Sequence, residues 1–263
     1  MRDILHRLFI EDQKSASEIG NILNLTVNQV YGKLSKYKIR KNKIRTTEWF
    51  NLDFKKLSDE DIYILGFLWA DGYLTNNARS LAIQICINDY ENISNALNIV
   101  GNWGIHIVDA NIKNGVSRKP RATATISSVD ICNKLKLLDF DKKSYINPSK
   151  IIDIIPKDKM YLFFRGYFDG DGCFYITNKA KQFAIGSTYD QNWQHMVDLF
   201  SNLEIDSYKI VQKISKLNHK HSIIRISSLK NVKKLSNYIY QDRLDIGLKR
   251  KYDKVKDLID ESK

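Results

Sequence analysis

Three hydrophobic patterns succeed one another along the chain. Over the first forty residues the apolar positions recur at helical spacing: Ile4, Leu5 and Leu8, then Ile19, Leu23, Val27, Val30 and Leu34. Ser15-Ala16-Ser17-Glu18 and Thr26-Val27-Asn28-Gln29 both match a capping box, in which a hydroxyl and a residue three places on satisfy each other's backbone donors. They predict two short helices joined at Asn24, a residue that tolerates the left-handed backbone of a tight turn. Further on the pattern alternates. In 81–88, Leu81, Ile83, Ile85 and Ile87 point one way and Ala82, Gln84, Cys86 and Asn88 the other. In "YKIVQKIS", Lys209, Val211 and Lys213 oppose Ile210, Gln212 and Ile214, and Arg225 stands between Ile224 and Ile226. These predict antiparallel strands with one core face and one polar or basic face. The third pattern is a pair of segments apolar or aromatic almost throughout, "YILGFLWA" (63–70) and "YLFFRGYF" (161–168), which predict buried helices. The longest apolar run, 63–70, is too short to span a bilayer, so no membrane role is expected.

The two buried segments are copies. "YILGFLWADGYL" (63–74) lies against "FFRGYFDGDGCF" (163–174) at an offset of 100 residues. The likeness continues through "SLAIQICINDYENISNAL" against "QFAIGSTYDQNWQHMVDL", "TATISSVDICNKL" against "IRISSLKNVKKL", and "LLDFDKKSY" against "RLDIGLKRKY". Each copy reads as helix, two strands, helix, two strands, helix. The first helix opens at Ser58-Asp59-Glu60-Asp61 in one copy and just after Pro156 in the other. The expected organisation is a helical unit over 1–45, a basic linker over 46–57 whose "WFNLDF" aromatics can dock on the repeat after it, and repeats over 58–150 and 151–263.

Both copies run carboxylates into the C-terminal end of a helix, where the macrodipole is partly negative and an Asp is disfavoured by a few tenths to about 1 kcal/mol. A glycine C-cap followed by an Asp-Gly turn is the plain reading. Spacing adds to it. Gly66 and Ala70, like Gly166 and Gly170, are four apart, so each helix carries a stripe of small residues and the two can pack closer than the usual 8–10 Å. That pairing brings Asp71 and Asp171 together. Two carboxylates about 5 Å apart repel by roughly 3 kcal/mol at an effective dielectric of 20. A divalent cation offsets this, and a few hard oxygen ligands that leave room for water and phosphate suit Mg²⁺.

Charge points the same way. The chain has 42 Lys and Arg against 30 Asp and Glu, a net +12, which suits a polyanionic partner. Residues 1–50 hold ten basic and five acidic side chains. A helix-turn-helix there would lay its second helix in a DNA major groove, with Asn28, Gln29, Lys33 and Lys36 facing it and Arg40 following; a small protein-interaction module is the alternative. Cys86, Cys132 and Cys173 form no CxxC pair and no disulfide framework, which fits a reducing compartment. His219-Lys220-His221 has no third metal ligand nearby and reads as a hairpin tip. The N-terminus, "MRDILHRLFIEDQ", lacks a signal-peptide cleavage region, so an intracellular location is expected. Paired acidic sites on a basic surface suggest metal-assisted phosphodiester hydrolysis.

At "ILGFLWADG" (64–72) and "FRGYFDGDG" (164–172) the chain resembles the LAGLIDADG homing endonucleases, with Trp69 where the motif usually has an acid. The resemblance runs from Trp49 to Leu258, as a single-chain, two-repeat member with an added N-terminal helix-turn-helix. It implies an α+β fold: two pseudo-twofold-related αββαββα repeats whose antiparallel sheets grip the major groove of a long, nearly asymmetric double-stranded DNA site. It implies a monomer belonging to a mobile genetic element that cuts both strands with Mg²⁺, leaving short 3′ overhangs, with Mn²⁺ or Ca²⁺ able to replace Mg²⁺ in binding. Asp71 and Asp171 would be metal ligands, one per strand, joined by the carbonyls of Ala70 and Gly170, with Gly66 and Gly166 at the repeat interface. Lys143 and Lys251 are the implied catalytic lysines, with Lys142 and Lys249 as alternates; a solvated helix-end charge is the ordinary role of such a Lys. Gln84, Asn88, Lys209, Lys213 and Arg225 are the candidate DNA contacts on the sheets, where a merely solvated face is the everyday alternative. An intron RNA maturase and a non-catalytic DNA-binding regulator use the same scaffold. Both motif aspartates are present, which favours cleavage.

Overall fold

In the computed structural model the described residues are 1–12, 14–39, 47–50, 52–75, 77–113, 116–214, 220–242 and 245–259. Two units emerge, 1–46 and 47–263.

In the smaller unit α1 (Arg2–His6) runs into a π-helical turn over Arg7–Glu11, and α2 (Ala16–Leu23) and α3 (Val27–Lys36) come next. Both capping boxes form: Ser15 Oγ accepts from the Glu18 amide and Glu18 Oε2 from the Ser15 amide, and Thr26 and Gln29 do the same. Asn24 is left-handed, at φ 52°. Leu5, Leu8, Ala16, Ile19, Val30, Leu34 and Ile39 form the core. Ile4 and Val27, expected in it, are exposed. So small a helical unit buries only a narrow line of each helix. Across α1 and the π-helical turn that line is Leu5 and Leu8, three apart, and Val27 opens α3 at its solvent-facing end.

The larger unit begins with β1 (Glu48–Trp49). The first repeat supplies α4 (Asp59–Asp71), β2 (Gly72–Leu74), β3 (Leu81–Cys86), α5 (Ile87–Val100), β4 (Gly101–Asn102), β5 (Gly104–Val108), the hairpin β6 (Asn111–Lys113) and β7 (Val116–Arg118), β8 (Arg121–Ile126), α6 (Val129–Leu137) and α7 (Ser149–Ile152). The second supplies α8 (Met160–Asp171), β9 (Gly172–Ile176), β10 (Lys181–Thr188), α9 (Gln194–Asn202), β11 (Lys209–Ile214), β12 (Lys220–Ile226), α10 (Leu229–Ile239) and α11 (Lys249–Tyr252). The sheets have matching orders, β2-β3-β8-β5 and β9-β10-β12-β11, with every pairing antiparallel. Register matches too: Leu81 faces Ile126 where Phe183 faces Ile226.

Two expectations change. The expected docking of the "WFNLDF" aromatics is found at Trp49, whose indole donates to Asp61 Oδ1 at 2.6 Å and packs on Trp103. The segment is more than a linker, however: from Thr47 onward it is built into this unit, with β1 paired to β4. The alternating strand of 81–88 stops at Cys86, so Ile87 and Asn88 open α5 and Asn88 leaves the sheet. From Asp89 the buried positions (Asp89, Ile93, Ala96, Leu97, Val100) keep a helical period, and packing of that stripe outweighs two more residues of alternation.

Candidate active site

The two motif helices meet through their glycines. A Cβ on Gly66 would collide with the Phe163 carbonyl oxygen, and one on Gly166 with that of Tyr63, so each backbone lies directly on the other. Near the end of the pair a Cβ on Gly170 would overlap the Ala70 methyl and stand 3.1 Å from Asp71 Oδ2. The Asp71 carboxylate is thereby placed over the residue that precedes Asp171. The glycines after the two aspartates are not left-handed caps. Gly72 and Gly172 are extended, at φ −78°, and carry the chain straight from α4 into β2 and from α8 into β9.

Asp71 and Asp171 both reach solvent. The surrounding protein nevertheless withdraws enough water to raise both carboxyls. Asp171 is pushed up to about 6, by this desolvation first and by the Asp71 charge second. A cation answers each helix end. Lys143 Nζ donates to the carbonyls of Trp69 (2.8 Å) and Ala70 (2.5 Å) at the end of α4. Lys251, only 4% exposed, donates to Phe168 (2.6 Å), Asp169 (2.5 Å) and Gly172 (2.7 Å) at the end of α8, with the Gly170 carbonyl at 3.4 Å. Ammonium groups on the last carbonyls oppose the negative end of each dipole, which removes much of the penalty on a carboxylate there. Burial lowers both lysines to about 8. The aspartates pull back, Asp171 and Asp71 on Lys143, Asp169 foremost on Lys251. Lys142 and Lys249 are exposed and pair with Asp139 and Asp253, away from the helix ends. The oxygens at hand for a hard cation are the two carboxylates and the carbonyls of Ala70 and Gly170.

Two charged side chains of the second motif helix were given no role by the sequence. Asp169 is buried; its Oδ2 accepts from the Tyr63 hydroxyl of the other repeat and from the Leu248 amide, each at 2.8 Å. Arg165 is fully buried and donates to the carbonyls of Ile239 and Ile246 and to Asp242. The signal was present, since a charge inside an apolar stretch must find a partner or a high cost; which partner it finds is a matter of tertiary contact. Trp69, opposite Asp169 in the repeat, instead packs edge-on against Phe140.

The sheets leave one face open, and the edge strand β11 leaves both: Ile210 and Ile214, expected on a core face, are exposed, because no described residue packs over the rim of the sheet there. In the first repeat Gln84 is exposed on the open face opposite Thr123. In the second repeat Lys209 lies opposite Arg225 and Lys213 opposite His221, with both lysines exposed and Arg225 half-buried. Like charges facing each other across strands destabilise a sheet unless an anion lies over them. In the smaller unit Asn28 and Lys36 are exposed and Lys33 is half-buried, while Gln29 spends its carbonyl oxygen on the Thr26 amide. Arg40 and His219 lie outside the described residues. Lys220 and His221 belong to β12, and no group of three metal-ligating His, Cys, Asp or Glu occurs among the described residues. All three cysteines are free, and no helix among those residues is long and apolar enough to cross a membrane.

Residues 158–240 match the family described as LAGLIDADG-like domain. Among solved structures, the homing endonuclease I-WcaI bound to its DNA recognition sequence is 17% identical over 79% of this chain and 88% of its own, with a TM-score of 0.50. Full-length DUF199/WhiA from Thermatoga maritima is 13% identical over 78% of this chain and 62% of its own, at 0.43. I-DmoI in complex with DNA and Ca is 13% identical over 69% and 89%, at 0.40. No curated protein sequence matches. The likeness to I-WcaI is one of fold.

Proposed function

We propose that this chain, which belongs to the LAGLIDADG homing endonuclease family by its second repeat and its fold, is a site-specific endonuclease that hydrolyses both strands of double-stranded DNA. The observation that carries this reading is the meeting of Asp71 and Asp171 at paired helix ends beside open sheet faces, one of them bearing Lys209, Lys213 and Arg225. The sheets bind the duplex and bring one phosphodiester of each strand to the aspartates. Asp71 and Asp171, with the carbonyls of Ala70 and Gly170, would hold Mg²⁺: two adjacent carboxylates and two carbonyl oxygens are the hard donors it takes, and each carbonyl would share its oxygen with a neighbouring lysine, Ala70 with Lys143 and Gly170 with Lys251. Mg²⁺ supplies Lewis-acid polarisation of the phosphoryl oxygens and a more acidic water. Lys143 and Lys251 fix the carbonyl ends of the site and place positive charge beside the phosphate. Water attacks phosphorus in line, the bond to the 3′ oxygen breaks, and the products carry a 5′ phosphate and a 3′ hydroxyl in short 3′ overhangs. The smaller unit adds a second DNA contact through Asn28, Lys33 and Lys36.

The test is digestion of genomic DNA by purified protein with and without Mg²⁺, beside an Asp71→Asn/Asp171→Asn double variant, with all new ends sequenced. A few discrete, Mg²⁺-dependent breaks absent from the variant are the expected result. Tight binding to DNA or to intron RNA without cutting would replace the endonuclease with the regulator or maturase reading.

A further inference from the structure

Lys251 is not held by its own repeat alone. The residue before it, Arg250, reaches into the first repeat and clasps Asp89 in the first turn of α5, with Nε to Oδ1 at 2.6 Å and Nη2 to Oδ2 at 2.7 Å. Asp89 is 6% exposed, so the pair is a two-point, charge-assisted contact on a largely desolvated carboxylate, the strong and geometrically selective kind. The Lys249 amide adds a longer bond to Asn92 Oδ1 on the same helix, at 3.4 Å. On the other side Leu248 is pinned by its amide to Asp169, whose same oxygen takes the Tyr63 hydroxyl from the first repeat. The start of the four-residue α11 that presents Lys251 is thus fastened at Leu248, Lys249 and Arg250, and each of these contacts involves the first repeat directly or through Asp169 and Tyr63.

The other half of the molecule has the same joint made of different chemistry. In the repeat alignment Asp89 falls on Gln191. Gln191 Nε2 donates to the Ile146 carbonyl at 3.0 Å, and Thr188 Oγ1 donates to the Ser144 carbonyl, so the segment after Lys143 is docked on the second repeat. Those bonds are neutral and single. Trp69 offers no carboxylate where Asp169 stands.

We infer that Asp89 and Arg250 are positioning residues: an inter-repeat latch that sets Lys251 on the end of α8, so that one of the two cutting centres is assembled by contact with the opposite repeat. The latch rests on the endonuclease reading for its catalytic consequence, but not for its existence. Leu248, Tyr252 and Val255 pack α11 onto the core of the second repeat, and the Arg250–Asp89 pair adds the charged contact to the first. A displacement of about 1 Å at a group such as Lys251 is enough to cost up to a hundredfold in rate.

Two measurements on full-length protein separate these points. The first is acetylation of Lys251 by N-hydroxysuccinimidyl acetate, followed by mass spectrometry, in wild type, Asp89→Asn, Arg250→Gln and Arg250→Lys. Loss of the latch is expected to speed Lys251 labelling by about tenfold, through local opening, with Lys143 unchanged and Arg250→Lys intermediate. The second is strand-resolved cleavage of the DNA site, with binding measured alongside. The latch variants are expected to slow, by between about ten- and a hundredfold, the strand that Lys251→Met also slows, leaving the other strand and DNA binding unchanged, so that nicked product accumulates. Unchanged labelling overturns the latch whatever the cleavage shows. Faster labelling with both strands slowed equally overturns the strand-specific role. If wild-type protein cuts no DNA, the endonuclease reading fails and the labelling alone decides whether the latch exists.

Discussion

The two repeats share one backbone plan and spend it differently. Where the first repeat has Trp69, Ile93 and Asp89, the aligned positions of the second hold Asp169, His195 and Gln191. Trp69 and Ile93 are ordinary buried apolar residues. Asp169 and His195 are polar groups in the same buried sites, and they meet burial differently: Asp169 accepts from the Tyr63 hydroxyl and the Leu248 amide, whereas His195 stays neutral against the Tyr167 and Trp193 rings with neither ring nitrogen hydrogen-bonded among the described residues. The open sheet faces differ as well, Gln84 and Thr123 in the first against Lys209, Lys213 and Arg225 in the second. The repeats stay alike where backbones touch, at Gly66 and Gly166, and at the helix ends, where Asp71 and Lys143 match Asp171 and Lys251; they differ at the buried polar positions and on the sheet faces. A close helix crossing admits no side chain, whereas a buried polar site can be solved in more than one way.

The largest effect should come from breaking what the repeats share. Gly166→Leu forces a side chain into the Tyr63 carbonyl and is expected to cost about 3 kcal/mol or more, with Gly66→Leu equivalent, read as the loss of cooperative unfolding in a thermal melt. An equal melting temperature in either variant would refute the helix crossing. The two centres can next be separated. Asp71→Asn and Asp171→Asn should each slow one strand on the order of 100-fold, with DNA binding within a few fold, and their nicked products should be on opposite strands. If either variant blocks both strands equally, the centres do not act one per strand.

A smaller effect is built into His195. Burial holds its imidazole down at about 3, so the native state excludes a proton that the unfolded chain binds below its ordinary 6.5. Its contribution is complete above pH 6.5 and is lost as pH falls towards 3. His195→Ile, which copies the first repeat, should remove this loss and gain about 2 kcal/mol relative to wild type at pH 5 against pH 7. Parallel stability–pH curves for the two proteins would exclude it. The smallest effect concerns the open faces. Lys209→Ala or Lys213→Ala should flatten the dependence of DNA affinity on salt by about 0.9 in log–log slope per lysine, while Gln84→Ala leaves the slope alone.

Much of this architecture was legible in the residues. Ser15, Thr26 and Ser58 announced three helix starts, because a capping box is local chemistry settled within four residues. The Gly66 and Gly166 stripes predicted a close helix pair. Where reading failed, a longer-range contact had decided: α5 took Asn88 from the sheet because Asp89 and Ile93 bury a helical stripe. Trp49 docks as expected, and its bond to Asp61 carries the segment read as a linker into the larger unit.

The sequence by itself determined the repeat, the alternating face of 81–86, the helix starts and the two aspartates at helix ends, since each is written in neighbouring residues or in a period of two or three to four. In β11 alternation did not settle the faces, because Ile210 and Ile214 are exposed there like Lys209 and Lys213. Only the tertiary structure decided what makes those aspartates tolerable. Lys143 reaches carbonyls 73 and 74 positions away, Lys251 others 79 to 83 away, and Arg250 clasps a carboxylate 161 positions back. A lysine in "DFDKKSY" or "GLKRKY" looks like its neighbours until the chain closes, because burial and hydrogen-bond geometry, not residue type, separate a solvated charge from one set on a helix end.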